Sequence, residues 1–183
     1  ESTKVIRTPW CWLTLRKGQW HANAGIDESN ANGKLILFPN DPFRVALAVR
    51  KFLLRQYRLR RVGVLITDTR LIPLRAGVGG VAVGYAGFSG LKSYIGSPDL
   101  FGRKLDMTRS NIADGLASSA VTVMGEGREQ TPIAVIRGAP LHYTRRRPLP
   151  QELLMRPQND LYRPIFLSGR VSRVRTTVRR RSR

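Results

Sequence analysis

The stretch NDPFRVALAVRKFLLRQYRLRRVGVLITDT, Asn40–Thr69, decides the fold class because its hydrophobic period changes partway along. Asn40 or Asp41 offers a side-chain oxygen to cap a helix, and Pro42 stands in the first turn, where a missing amide donor costs little. Phe43, Ala46, Leu47, Leu53, Leu54 and Tyr57 then recur at mostly helical spacing, which predicts an amphipathic helix. From Arg61 to Thr67 the residues become β-branched over a run short enough for a buried strand, and DTRLIPLRAG follows as a loop.

Working outward, KLILFP reads as a short strand ending at Pro39. The glycine-rich run VGGVAVGYAGF, residues 78–88, reads as a strand with bulges or close backbone contacts, because glycine removes side chains that would block approach. LDMTRSNIADGLASSAVTVMG reads as a second helix, with Thr108 as cap, Ile112, Leu116, Ala120 and Val123 on one face, and Gly125 at the stop. TPIAVIRG reads as a closing strand, and no internal repeat interrupts the alternation. Strands and helices mixed in this way predict a mixed α/β (α+β) domain of layered sheet and helices. The expected organisation is a domain over residues 1–142, an extension over 143–169 packing on it, and an arginine-rich tail over 170–183.

Composition narrows the partners. The chain has 183 residues and is 42% hydrophobic, which suits one globular domain able to bury a core without disulfides. No run of about 18 apolar residues could span a bilayer, and ESTKVIRTPW lacks the zones of a signal peptide, so the expectation is a cytoplasmic protein without membrane contact. Cys11 is the only cysteine and His21 and His142 are the only histidines, which excludes internal disulfides and a Cys/His zinc site within one chain. A metal must therefore be held mainly by oxygen. The 32 Lys plus Arg against 12 Asp plus Glu give a formal +20, which favours polyanionic partners without choosing among them. The basic residues cluster in RQYRLRR (Arg55–Arg61), YTRRRP (Tyr143–Pro148) and the tail, while residues 62–142 carry much less charge.

Chemistry should lie where polar residues interrupt the elements: Asp27 and Glu28 before the first strand, Asp68 and Thr69 after GVLIT, and Glu126 after the second helix. Two carboxylates about 4 Å apart repel by roughly 4 kcal/mol at an effective dielectric of 20, so convergence calls for a proton or a cation. Oxygen-only ligands favour Mg2+ or Mn2+ over zinc. The competing reading of each carboxylate is a cap or turn residue. Asp68 and Thr69 would point to opposite faces of a regular strand, and share a site only if the strand has ended. GFSGLKS lacks P-loop spacing, AGVGGVAVG lacks the dinucleotide pattern, and neither H-E-x-x-H nor G-x-S-x-G occurs.

Taken together, ANAGIDESN, GVLITDT with PLRAG after it, VAVGYAG, DLFGRKL, NIADGLASSAVTVMGEG and TPIAVIRG stand in an order that resembles the coenzyme F420-0:L-glutamate ligase family over about residues 1–140. The resemblance implies that family's unusual α/β fold, a homodimer, and amide ligation. In the family GTP and a divalent metal, Mn2+ or Mg2+, activate the lactyl carboxylate of a deazaflavin cofactor, to which L-glutamate is joined. By motif match it implies Asp27, Asp68, Thr69 and Glu126 as metal ligands. It places Asn30 on the nucleotide and gives the loop opened by Met124, with Gly125 and Gly127, a part in the nucleotide pocket, the glycine amides being open to phosphate. Met124 and its apolar neighbours otherwise read as core. Arg75, after Pro73, reads as an anion clamp, with a surface ion pair as the plainer alternative.

Departures from the family pattern accompany the match. The chain is expected to begin near the middle of a full-length member. RLIPLR stands where a phenylalanine and glycine follow the T-D-T motif, and Gly79 and Gly80 replace an acidic residue, so the acid and amine substrates need not be those of the family. Two further readings belong to other classes. One is a nucleic-acid-binding protein that uses Arg145–Arg147 and the tail, against which the 8% aromatic content does not interleave with the basic runs. The other is a catalytically inactive structural partner.

Overall fold

The computed structural model describes residues 4–16 and 18–162. The N-terminal segment forms an antiparallel meander of β1 (Lys4–Arg7), β2 (Trp12–Arg16) and β3 (Gln19–Ala22). Thr14, buried on β2, accepts the Ala24 amide and donates to the His21 carbonyl, so one hydroxyl fixes the chain where it leaves β3.

Helix α1 spans Pro42–Gln56. Asp41 is its N-cap and accepts from the Arg44 amide at 2.9 Å, with Pro42 in the first turn as expected. Its buried side is Phe43 and Ala46, while Tyr57 at the C-terminal cap is exposed.

Strands β4 (Val64–Leu71) and β5 (Val78–Ala86) form an antiparallel hairpin against which both helices pack. The register shifts between Ile66, paired with Gly84, and Thr67, paired with Ala82, which leaves Val83 as a bulge. Beyond the bulge β4 continues through Asp68, Thr69, Arg70 and Leu71, opposite Val81, Gly80, Gly79 and Val78. The loop expected from Asp68 onward is therefore strand as far as Leu71, because the glycine-rich partner is long enough to satisfy its backbone.

Helix α2 (Ile112–Met124) follows the short pair β6 (Leu91–Ser93) and β7 (Arg109–Asn111). It crosses β5 so closely that a Cβ on Gly80 would lie 2.5 Å from the Ala117 carbonyl oxygen. Two α2 side chains complete the contact: Ser118 Oγ donates to the Gly80 carbonyl and Asp114 accepts the Ala82 amide, each at 2.8 Å. Only small side chains permit this approach, and the buried face is Ala113, Ala117, Ala120 and Val121. The expected face differs, since Val123 is 71% exposed. Thr108 is not the cap either; Asn111 accepts the Asp114 amide, and the residues between them pair as β7.

The core gathers Phe43, Tyr85, Phe88 and Ala113, with Leu65, Leu116, Leu141 and Leu153 around them. The Tyr85 ring lies 5.4 Å from Phe43 and 5.2 Å from Phe88, and its hydroxyl donates to Glu152 at 2.9 Å. Burial and the Glu152 carboxylate both raise the pKa of that phenol. The C-terminal segment is fastened where Thr144 donates to the Gly87 carbonyl and the Ser89 amide to His142. Residues 163–183, including the expected tail, lie outside the described residues.

Two expected strands do not form. KLILFP makes a single bridge, Asp27 with Ile36, and TPIAVIRG has no strand partner among the described residues, where Ile133 is 77% and Val135 76% exposed. Their composition suits strands, but a strand exists only where another backbone pairs with it. Conversely, β1–β3 were not anticipated, since LTLRKGQWHA lacks strong alternation. Among the described residues no helix is long and apolar enough to cross a membrane.

Packing at Gly80 predicts that Gly80→Val lowers stability by about 1–3 kcal/mol through overpacking against Ala117. Gly115→Ala, on the exposed side of α2 with open space around it, raises stability by about 0.5–1 kcal/mol. Urea unfolding of the two variants checks both signs. A second prediction concerns His21, whose ring packs edge-on to Phe38 and whose pKa is lowered from 6.5 to about 4 by burial, then by Arg70 and Arg16. The unfolded chain then takes up the proton first as the solution is acidified. The stability from neutral His21 is complete above pH 6.5 and lost as pH falls towards 4. NMR titration should find an imidazole midpoint near 4, and His21→Gln should flatten the stability profile over that interval.

Candidate functional site

Three polar segments meet beside the far half of the β4–β5 hairpin. The loop after β3 carries Asp27 and Asn30, β4 carries Asp68 and Thr69, and the loop after α2 carries Glu126 and Gly127. Asn30 Nδ2 donates to the Gly127 carbonyl at 3.0 Å, and Thr69 Oγ1 donates to Glu126 Oε2 at 3.3 Å. These two bonds tie residues far apart in sequence into one polar region.

Asp27 is a turn residue within this polar region. Its backbone pairs with Ile36, and Ser29 donates its amide and its hydroxyl to the Asp27 carboxylate at 2.7–2.9 Å. Those bonds hold the carboxyl below the usual range. Asn30 has φ of 54°, a left-handed conformation that Asn tolerates.

Asp68 and Thr69 diverge, because β4 has not ended there. Thr69 shares the face of its partner Gly80, which turns towards α2, and so reaches Glu126 at the end of that helix. Asp68 takes the other face. Burial raises its pKa and the Asp27 charge adds to this, against lowering by the Thr69 amide and by Arg70. The two aspartates thus feel one another although no hydrogen bond joins them.

The loop after α2 is built by glycine geometry. Gly125 closes the helix with φ of 80°, its amide donating to Val121, and a side chain there would strike Glu129. The Gly127 amide donates to Glu129 Oε2 at 2.8 Å. Both amides expected to face phosphate are therefore engaged within the chain, and an anion would reach Gly127 by displacing the Glu129 carboxylate. Met124 is the last, partly buried residue of α2. Arg75 lies exposed on the tip of the β4–β5 hairpin, its amide bonded to the Ile72 carbonyl.

Sequence reading missed Glu129, Gln19 and Arg70. Glu129 was legible as an acidic residue two positions beyond Gly127; Arg70 was legible only once β4 was known to continue. Donor chemistry here fits a hard divalent cation, all candidates being oxygens, but among the described residues no three His, Cys, Asp or Glu side chains gather closely enough to hold one alone. Part of the basic surface is committed internally: Arg147 pairs with Asp41 at 2.9 Å, Arg61 stacks over Tyr143, and Arg50 donates to the Val62 carbonyl. Within residues 145–147 the paired side chain is that of Arg147, and all three arginines are exposed.

Comparison with known proteins adds relatives. The chain is 38% identical over 142 residues to the coenzyme F420:L-glutamate ligase of Methanococcus maripaludis, covering 78% of this chain and 56% of that one. It is 46% identical over 125 residues to the protein of the same name from Methanopyrus kandleri, covering 68% and 49%. With that of Methanothermobacter thermautotrophicus it is 39% identical over 166 residues, covering 89% and 66%. The chain thus spans about half to two-thirds of the length of these relatives. The family model described as F420-0:Gamma-glutamyl ligase matches residues 1–138, and the chain belongs to that family.

Proposed function

We propose that this chain carries the metal- and nucleotide-binding part of an amide ligase that joins L-glutamate to the carboxylate of an F420-type deazaflavin or a related acid. GTP is the nucleotide, Mn2+ or Mg2+ the metal, an acyl-phosphate the activated species, and the working assembly a homodimer. The observation that carries the reading is the meeting of Asp27, Asn30, Asp68, Thr69, Glu126 and Gly127 from three distant segments. Relatives bearing the ligase name support the substrate class.

An amide does not form from a carboxylate at neutral pH without a leaving group, and phosphorylation of the carboxylate supplies one. Bound divalent cations would neutralise phosphate charge, with Asp27 and Asp68 as oxygen donors on one face of β4 and Thr69 and Glu126 on the other. Mg2+ commonly takes one or two carboxylates and completes its shell with substrate phosphates, which suits a site whose side chains do not surround an ion alone. The chain's own contribution is positional. Asn30 holds the Gly127 loop, Thr69 orients Glu126, and Asp27 is kept ionised by Ser29. Arg75, exposed on its hairpin tip, is free to meet an anionic substrate from outside.

Calorimetric titration of GTP tests this, with and without Mn2+. The wild-type chain should bind GTP only in the presence of metal, and Asp27→Ala and Asp68→Asn should each weaken binding at least tenfold. Binding unchanged in both variants would overturn the assignment of the site. Asn30→Ala, which removes the bond to the Gly127 carbonyl, should lower stability by about 1 kcal/mol, a Tm shift of about 2–4 °C, and should also weaken GTP binding by loosening the Gly127 loop.

A further inference from the structure

Arg70 lies two residues beyond Asp68 on the same face of β4. Its Nη2 donates to the side-chain oxygen of Gln19 on β3, which clamps the guanidinium against the meander. Its Nε is buried and, among the described residues, has no hydrogen-bond partner. The charge is felt by Asp68, Asp114 and His21. Yet among the described residues the one ion pair within 4 Å is Arg147 with Asp41, so Arg70 touches neither of its neighbouring carboxylates.

Such an arrangement is costly for stability alone. A partly buried guanidinium normally closes on a carboxylate in a bidentate fork, which offsets its desolvation. Here a neutral amide holds the cation, and no ion pair closes between Arg70 and Asp68 among the described residues. The fixed charge has two consequences at that carboxylate. It repels a divalent cation twice as strongly as a monovalent one, and it attracts a polyphosphate. Screening by salt is weak for half-buried groups, so both effects persist in solution.

We propose that Arg70 is a positioning residue that acts as a built-in counter-cation of Asp68, making the site take a divalent metal together with a nucleoside triphosphate and hold the free ion poorly. The proposal rests on the nucleotide- and metal-dependent reading above and adds an order of binding to it. Phosphate oxygens bring the negative charge that balances Arg70 and the metal at once.

The test is Mn2+ binding to the whole chain, read from the free-ion signal in electron paramagnetic resonance, with and without GTP. Arg70→Met and Arg70→Gln remove the charge and keep most of the stem; Arg70→Lys retains the charge. Circular dichroism reports folding. In the absence of GTP, both neutral variants should bind Mn2+ at least threefold more tightly than wild type, and Arg70→Lys should stay near wild type. The gain in Mn2+ affinity on adding GTP should shrink in the neutral variants. Should both neutral variants unfold, Gln19→Glu decides, since a carboxylate beside the guanidinium cancels its field and should tighten Mn2+ in the same way. Folded variants with unchanged or weaker Mn2+ affinity, in a chain whose wild type binds Mn2+ with GTP, overturn the role of Arg70 and leave the ligase reading standing. Failure of wild type and variants alike to take up Mn2+, with or without GTP, overturns both.

Discussion

The close approach of α2 to the backbone of β5 at Gly80 is the constraint on which the rest of the structure depends. Without a side chain at that position, the helix can lie against the strand and satisfy it with Asp114 and Ser118. That contact sets where α2 lies over the hairpin, and the loop after the helix carries Glu126 to Thr69. The same helix brings Ala113 into the core beside Tyr85 and Phe43, so α1, the hairpin and α2 share one packing unit. Alanines on α2 and glycines on β5 are thus two halves of one requirement, a short distance between a helix and a strand.

Continuation of β4 past Thr67 has a chemical result. It splits a pair of adjacent polar residues between two faces, Thr69 towards α2 and Asp68 towards the N-terminal meander. Asp68 then lies in a partly desolvated setting with Asp27 and Arg70 as charged neighbours, whereas Asp27, wrapped by Ser29, stays easily ionised. Two aspartates with pKa values moved in opposite directions, joined by loops that Asn30 ties together, form a polar seam rather than a closed cage.

Particular elements show why some of this was legible in advance. The start of α1 follows from Asp41 and Pro42, whose local chemistry leaves little alternative, and the stop of α2 follows from Gly125. The bulged, closely packed strand was legible in its glycines. Thr108 failed as a cap because the residues after it found a strand partner in β6, and Val123 failed as a core residue because Gly80 selects the alanine face of α2. TPIAVIRG has the composition of a strand without a backbone among the described residues to pair with it.

The sequence by itself determined the mixed class of the domain, the start of α1, the stop of α2 and the family, because those depend on residue types and their local spacing. Only the tertiary structure decided which donors meet. The bonds from Asn30 to Gly127 and from Thr69 to Glu126 join residues separated by 97 and 57 positions. It also decided that Glu129 covers the Gly127 amide and that Arg70, two residues from Asp68, is held off that carboxylate by Gln19. The physical reason is that strand length, helix depth and loop contact are set by pairing and packing between distant segments, and no local pattern encodes a partner's position.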